Sequence, residues 1–112
     1  MDPITLVSSA ARTSNSQSNW YDLSRYEEGL ILAKVTASSG TTPAFQIIVE
    51  GSNDEGSTKT AFVLTKSQKL FGTVNPDPIV VTNFGKWLRI KWILSGTTPS
   101  YTFSVTFIGK SN

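Results

Sequence analysis

The sequence predicts an all-β domain, an antiparallel sandwich or barrel of roughly eight or nine short strands. Three observations lead there. From Leu88 to Leu94, and again from Tyr101 to Phe107, every second residue is apolar, the period of a half-buried strand. Clusters of Gly, Pro, Asn and Ser interrupt the chain repeatedly, as tight connections demand. No stretch sustains the period of a long helix, and Thr and Ser are abundant where Ala, Leu and Glu are modest. At 112 residues the chain has the size of one domain, able to bury roughly two-thirds of its unfolded surface.

Taken in order, Ile4 to Val7 reads as a short strand, and the polar, aperiodic SSAARTSNSQSN that follows reads as an arm or loop. Residues 1–19 are thus an N-terminal strand and polar arm, and 20–112 the sandwich domain. Trp20-Tyr21-Asp22-Leu23 is extended. Ser24-Arg25-Tyr26-Glu27 matches the S-x-x-E capping box with Gly29 as a stop, which predicts one short helical turn over 24–28. Leu30 to Ala37 alternates, with Ile31, Ala33, Val35 and Ala37 on one face and Leu30, Leu32, Lys34 and Thr36 on the other. Phe45, Ile47 and Val49 share a face of the next strand. Gly51 to Ser57 is a loop, Ala61 to Thr65 a strand, and Leu70 to Val74 a further candidate. Asn75-Pro76-Asp77-Pro78 is a turn, since neither proline can donate to a ladder. Ile79 to Thr82 resumes a strand until Asn83-Phe84-Gly85 turns the chain again. In the last third Leu88, Ile90, Trp92 and Leu94 face the core, with Trp87, Arg89, Lys91 and Ile93 opposite. Tyr101, Phe103, Val105 and Phe107 supply a buried aromatic face.

The pentapeptide SGTTP occurs twice, at 39–43 and 95–99, 56 residues apart. Gly permits φ > 0, the threonines are stiff, and Pro can start a returning strand, which together suit a hairpin connection. The buried series ends one residue before the second copy, at Leu94, but two before the first, at Ala37. A one-residue slip exchanges the faces of a strand, so the copies read as shared turn chemistry rather than a duplicated half, unless a bulge absorbs Ser38.

Chemistry is scarce. With no histidine and no cysteine, the commonest general base, the commonest metal ligand, thiolate sites and disulfides are all missing. Glu27 is spoken for as the capping partner of Ser24, and Asp54-Glu55, between glycines, lack the spacing of a calcium loop. There is no phosphate-binding glycine loop and no nucleophile elbow. No catalytic residue, cofactor or metal is therefore expected, and the chain reads as a non-enzyme. A formal charge of +2, dispersed along the chain, does not suggest nucleic acid, and no apolar run approaches a membrane span. The first residues lack the pattern of a secretory signal, which points to synthesis and use without export from the cytoplasm. Leu30, Leu32 and Ile48 make the outer face of their hairpin partly apolar, so either the polar arm or a partner covers it. Trp87, Arg89 and Lys91 on an outer strand face read as a protein contact, because Trp and Arg are enriched in interfaces. A carbohydrate-binding module, with Trp20, Tyr21 and Trp87 stacking on sugar rings, ranks behind, since no Asn, Asp and Arg ligand set stands beside them.

Two stretches carry a resemblance. WYDLSRYEEGLILAKVTASSGTTPAFQIIVEGSNDEG (20–56) and NFGKWLRIKWILSGTTPSYTFSVTFIGK (83–110) resemble small β-sandwich virion proteins of tailed bacteriophages. The shared features are a Y-E step into an apolar strand, a TPxFQxxVEGS-like strand, a G-K-W-L-R run and a final SGTxPSxTFSVT strand. The family is similar to the jelly-roll cement or decoration proteins of phage capsids. The resemblance implies a single jelly-roll-like β-sandwich, made in the host cytoplasm and carried on the capsid exterior, that bridges and stabilises major capsid protein subunits. It also implies self-association as a dimer or trimer. Another virion part of the same fold, in the tail, baseplate or a head fibre, is the alternative within the family. The candidate protein-contact residues are Arg12, Trp20, Tyr21, Arg25, Leu30, Leu32, Ile48, Trp87, Arg89 and Lys91.

Overall fold

The computed structural model describes residues 3–53, 60–67, 69–82 and 86–110. All of the regular structure among them is strand: β1 (Ile4–Arg12), β2 (Ser16–Gln17), β3 (Tyr21–Asp22), β4 (Glu28–Ser52), β5 (Phe62–Lys66), β6 (Leu70–Phe71), β7 (Ile79–Thr82) and β8 (Trp87–Lys110). Two strands dominate. β4 and β8, 25 and 24 residues long, run antiparallel and pair from Glu28↔Lys110 at one end to Ser52↔Trp87 at the other.

Each long strand is bent at its SGTTP and contributes its two halves to different layers. The first layer runs β1, second half of β8, first half of β4, β7. The second runs β2 and β3, first half of β8, second half of β4, β5. The layers close face to face on one core. Ile31, Val35, Phe103, Val105 and Phe107 point inward from the first, and Ile47, Val49, Leu88, Ile90 and Trp92 from the second. Phe45 stacks on Tyr101 with ring centroids 5.1 Å apart, and Trp92 meets Phe103 edge-on at 5.4 Å. The shortest molecular dimension, 20 Å, is that of two packed sheets. Each large side chain so buried contributes about 1.5–3 kcal/mol of transfer free energy, and the row of aromatics runs through a core that is otherwise aliphatic. The fold is therefore an antiparallel β-sandwich.

The repeat acquires a different meaning. The copies are not two hairpin turns; they lie opposite each other in the middle of the β4–β8 ladder, where Ser39 pairs with Ser100, Thr41 with Thr97 and Ala44 with Ser95. Gly40 and Gly96 both have φ 110°, and Thr42 and Thr98 both have φ 47°. The crossing is thus an approximate two-fold axis, and moving 56 residues along the chain carries β4 onto β8. The same shift carries β1 onto the neighbourhood of β5, and β3 onto that of β7. The parity mismatch that argued against matched halves is absorbed by a bulge between Val35 and Ala37 on β4. Strand pairing alone shows this; outside the pentapeptide the two halves do not align by eye.

Two further expectations change. The helical turn over 24–28 is a β-turn instead, with Tyr26 N–H donating to the Leu23 carbonyl at 3.0 Å. The cap is supplied by Asp22, whose Oδ1 accepts from Ser24 N (3.1 Å) and Ser24 Oγ (2.7 Å). The polar segment 8–19 does not stand off as an arm. β1 extends through it to Arg12, and its polar side chains then serve the exposed edge of β8. Asn15 Oδ1 accepts from Leu94 N at 2.7 Å, Ser18 Oγ accepts from Ile90 N at 3.0 Å, and the Ser14 carbonyl accepts from Trp92 Nε1 at 3.1 Å. Short polar side chains here replace a strand's backbone as hydrogen-bond partners, which explains a composition that looked unstructured. The loop expected at Gly51 to Ser57 lies partly, and the turn at Asn83 to Gly85 wholly, outside the described residues.

Candidate interaction surface

Alternation along β4 and β8 decides which candidate residues reach solvent. On the outer face of the second layer, Trp87, Arg89 and Lys91 project from β8 beside Ile48 and Glu50 of β4, with Ile48 paired to Lys91 and Glu50 to Arg89. Arg89 Nε donates to Glu50 Oε1 at 2.7 Å, in a pair whose side chains are only 22 % and 10 % exposed. Trp20, just ahead of β3, lays its ring against the Arg89 guanidinium at 4.4 Å. Arg89 is thus held by the Trp20 ring and, through its Nε–H, by the Glu50 carboxylate, which fixes all three side chains. Lys86 approaches the Trp87 ring at 5.8 Å, and Lys66 of β5 pairs with Ile48 from the other side. This face is cationic and aromatic, with the Arg89–Glu50 pair at its centre and Ile48 set between Lys91 and Lys66.

Leu30 and Leu32 lie elsewhere, on the outer face of the first layer. Leu30 pairs with both Val80 and Ile108, and these three line an apolar depression of about 500 Å³ bounded by Glu28 and Lys110. Val80 is 65 % exposed. The arm covers neither outer face here; it runs along the β8 edge.

The remaining candidates are structural. Tyr21 packs against the core and donates its hydroxyl to the Leu6 carbonyl at 3.1 Å. Arg12 closes the flank between the layers, its guanidinium 5.0 Å from the Trp92 ring and its Nη2 3.1 Å from the Ser8 carbonyl. Arg25 sits over Tyr26 at 4.8 Å in the turn. Tyr26 in turn packs edge-on against Phe107 at 5.4 Å. Nine of the ten candidates therefore divide between two opposite faces, one flank and one turn, and Tyr21 packs against the core. Glu50, Glu28 and Lys110, which shape the two faces, carried no local signal; only the β4–β8 register brings each beside its partner.

Among the described residues, no three His, Cys, Asp or Glu side chains gather as a metal site, and no helix is long and apolar enough to cross a membrane. Trp20 offers a sugar at most one ring face, because Arg89 covers the other.

No protein-family model matches the chain, and no curated protein matches it at a significant level. Among solved structures, the crystal structure of the SPBc2 prophage-derived protein YomS is similar in fold, with a TM-score of 0.50 at 13 % identity. The match covers 96 % of this chain and 94 % of that one, so the two agree over the whole sandwich rather than over one motif.

Proposed function

We propose that the chain is a non-enzymatic structural protein of a tailed-phage virion, acting as a capsid cement protein that bridges major capsid protein subunits on the capsid exterior. The observation that carries this reading is the outer face of the second layer. Ile48, Trp87 and Lys91 surround an ion pair already held rigid by Trp20, so a partner finds a broad, pre-organised surface instead of a small-molecule cleft. The layer orders 1-8-3-6 and 2-7-4-5, counting each half of β4 and β8 as a strand and β2 with β3 as one and leaving out the two-residue β6, support a jelly-roll reading. The likeness to a prophage-derived protein supports a phage setting for that fold.

The test is reconstitution. Purified protein is added to capsids lacking it, and binding, thermal stability of the capsid and the position of added density by electron microscopy are measured. Regular density on the capsid exterior and a raised disruption temperature are expected. Ile48→Glu with Lys91→Glu should weaken capsid binding roughly tenfold or more while leaving the fold intact, since both side chains are outside the core. Density confined to the tail or baseplate would favour the alternative virion role, and no binding at all would overturn the reading.

A further inference from the structure

We infer that the outer face of the first layer is a two-fold interface between copies of this chain, whatever the second layer binds. Three adjacent strands present Val80, Leu30 and Ile108 in one cross-strand row, with Leu32 behind Leu30. The next row is Glu28 on β4 and Lys110 on β8, joined at 3.3 Å with side chains 40 % and 68 % exposed. So exposed a pair adds little to the stability of its own chain, and both groups remain free to take a new partner.

The arrangement is self-complementary. Consider a two-fold axis in the plane of contact, parallel to the strands and midway between β4 and β8. Rotation about it keeps each residue's height along the strands and exchanges the two columns. Leu30 then faces Ile108 of the second copy and Ile108 faces its Leu30. One row along, Glu28 faces Lys110 and Lys110 faces Glu28. Leu30 and Ile108 meet each other and each charge meets its opposite, twice, as an isologous contact requires, while Leu32 faces Thr106 and Val80 lies one strand outside, at the rim. Sheets packed in this way lie nearly aligned, so residues close to the axis stay in register. A partner of uniform charge would gain from only one member of the Glu28–Lys110 pair and would oppose the other; a second copy satisfies both.

The experiment is a charge-swap complementation read by sedimentation equilibrium or light scattering on the full chain. The wild type is expected at twice the 12.2 kDa chain mass. Glu28→Lys alone places like charges opposite each other twice in a homodimer, as does Lys110→Glu alone, and each should run as a monomer. Mixed in equal amounts, the two variants should recover the dimer mass. One chain then offers a cation at both positions and the other a carboxylate at both, so every facing pair is again of opposite sign. Effects confined to one chain cannot be repaired by mixing, so recovery is diagnostic. Circular dichroism of each single variant keeps a folding defect apart from a lost interface. Should either fail to fold, Leu30→Gln, at an exposed position in the facing row, replaces it with the same expected loss of dimer. A wild type that is monomeric at high concentration, a higher oligomer unaffected by the swaps, or single variants that remain dimeric would each overturn the proposal. Failure here leaves capsid binding through Ile48 and Lys91 untouched, and failure there leaves this dimer untouched.

Discussion

Gly40 and Gly96 face each other's strands midway along the β4–β8 ladder, each in the same left-handed conformation and each pressed against the other's repeat. A Cβ on Gly40 would sit 2.7 Å from the Thr98 carbonyl oxygen, and one on Gly96 would sit 2.6 Å from that of Thr42. The obstacle in both cases is backbone, which cannot swing away. This mutual contact explains why the two pentapeptides are identical while their flanks are not. A residue on the axis meets its own counterpart, so a change in one copy disturbs the other.

Gly40→Ala and Gly96→Ala should therefore destabilise by similar amounts, about 2–4 kcal/mol each, combining the cost of φ > 0 with a backbone clash. Gly72 is the control, with φ 72° and no atom within 4 Å of an added Cβ. Gly72→Ala should cost only about 1 kcal/mol, the conformational part alone. Urea denaturation of the three variants checks the ranking, which would fail if Gly40→Ala were no worse than Gly72→Ala.

Arg89→Ala strips the partner from Glu50, whose side chain is only 10 % exposed. A loss of about 2–4 kcal/mol is expected, most of it from the carboxylate left without its cation. Trp20→Ala removes only the covering ring and should cost nearer 1 kcal/mol. In a double-mutant cycle, Glu50→Ala with Arg89→Ala should cost clearly less than the sum of the two singles. Additive losses would mean that the pair is not coupled.

The turn after β3 should titrate. The Ser24 hydroxyl, and then the Ser24 backbone N–H, hold the Asp22 carboxyl below its ordinary value of 3.8. A carboxyl with a lowered folded pKa contributes stability that is fully present above the unfolded value and is lost as pH falls through the folded one. Asp22→Asn should therefore be less stable than wild type by a constant margin above about pH 5, and the margin should shrink in more acid solution. Urea midpoints measured down the pH scale test this. A margin that grows in acid would refute it.

Much of the fold was legible because alternation reports burial directly: Leu88 to Leu94 and Tyr101 to Phe107 face as their period requires. Alternation does not report continuity. Gly40 and Thr42 look like a turn whether the chain reverses or only kinks, and what decides is the partner strand, absent from any local window. The polar segment misled for a related reason. Asn15 and Ser18 bond to the backbone of Leu94 and Ile90, more than seventy residues away, and side chains used in this way leave no periodic trace. The surface residues were legible as types and not as a constellation. Trp20, Arg89 and Lys91 do gather on one face, but Leu30 and Leu32, grouped with Ile48 by strand parity, lie on the opposite one because the strand carrying them changes layer at 39–43.

That change of layer also governs how the chain can fold. Neither half of the polypeptide owns a sheet: each layer takes strands from before and after the midpoint, so the first 56 residues alone would present two unfinished edges and no core. The long ladder must close over a large separation in sequence before much apolar surface is hidden. That is the topology of slow folders, with times of milliseconds to seconds. The two layers are therefore expected to form together in one cooperative transition.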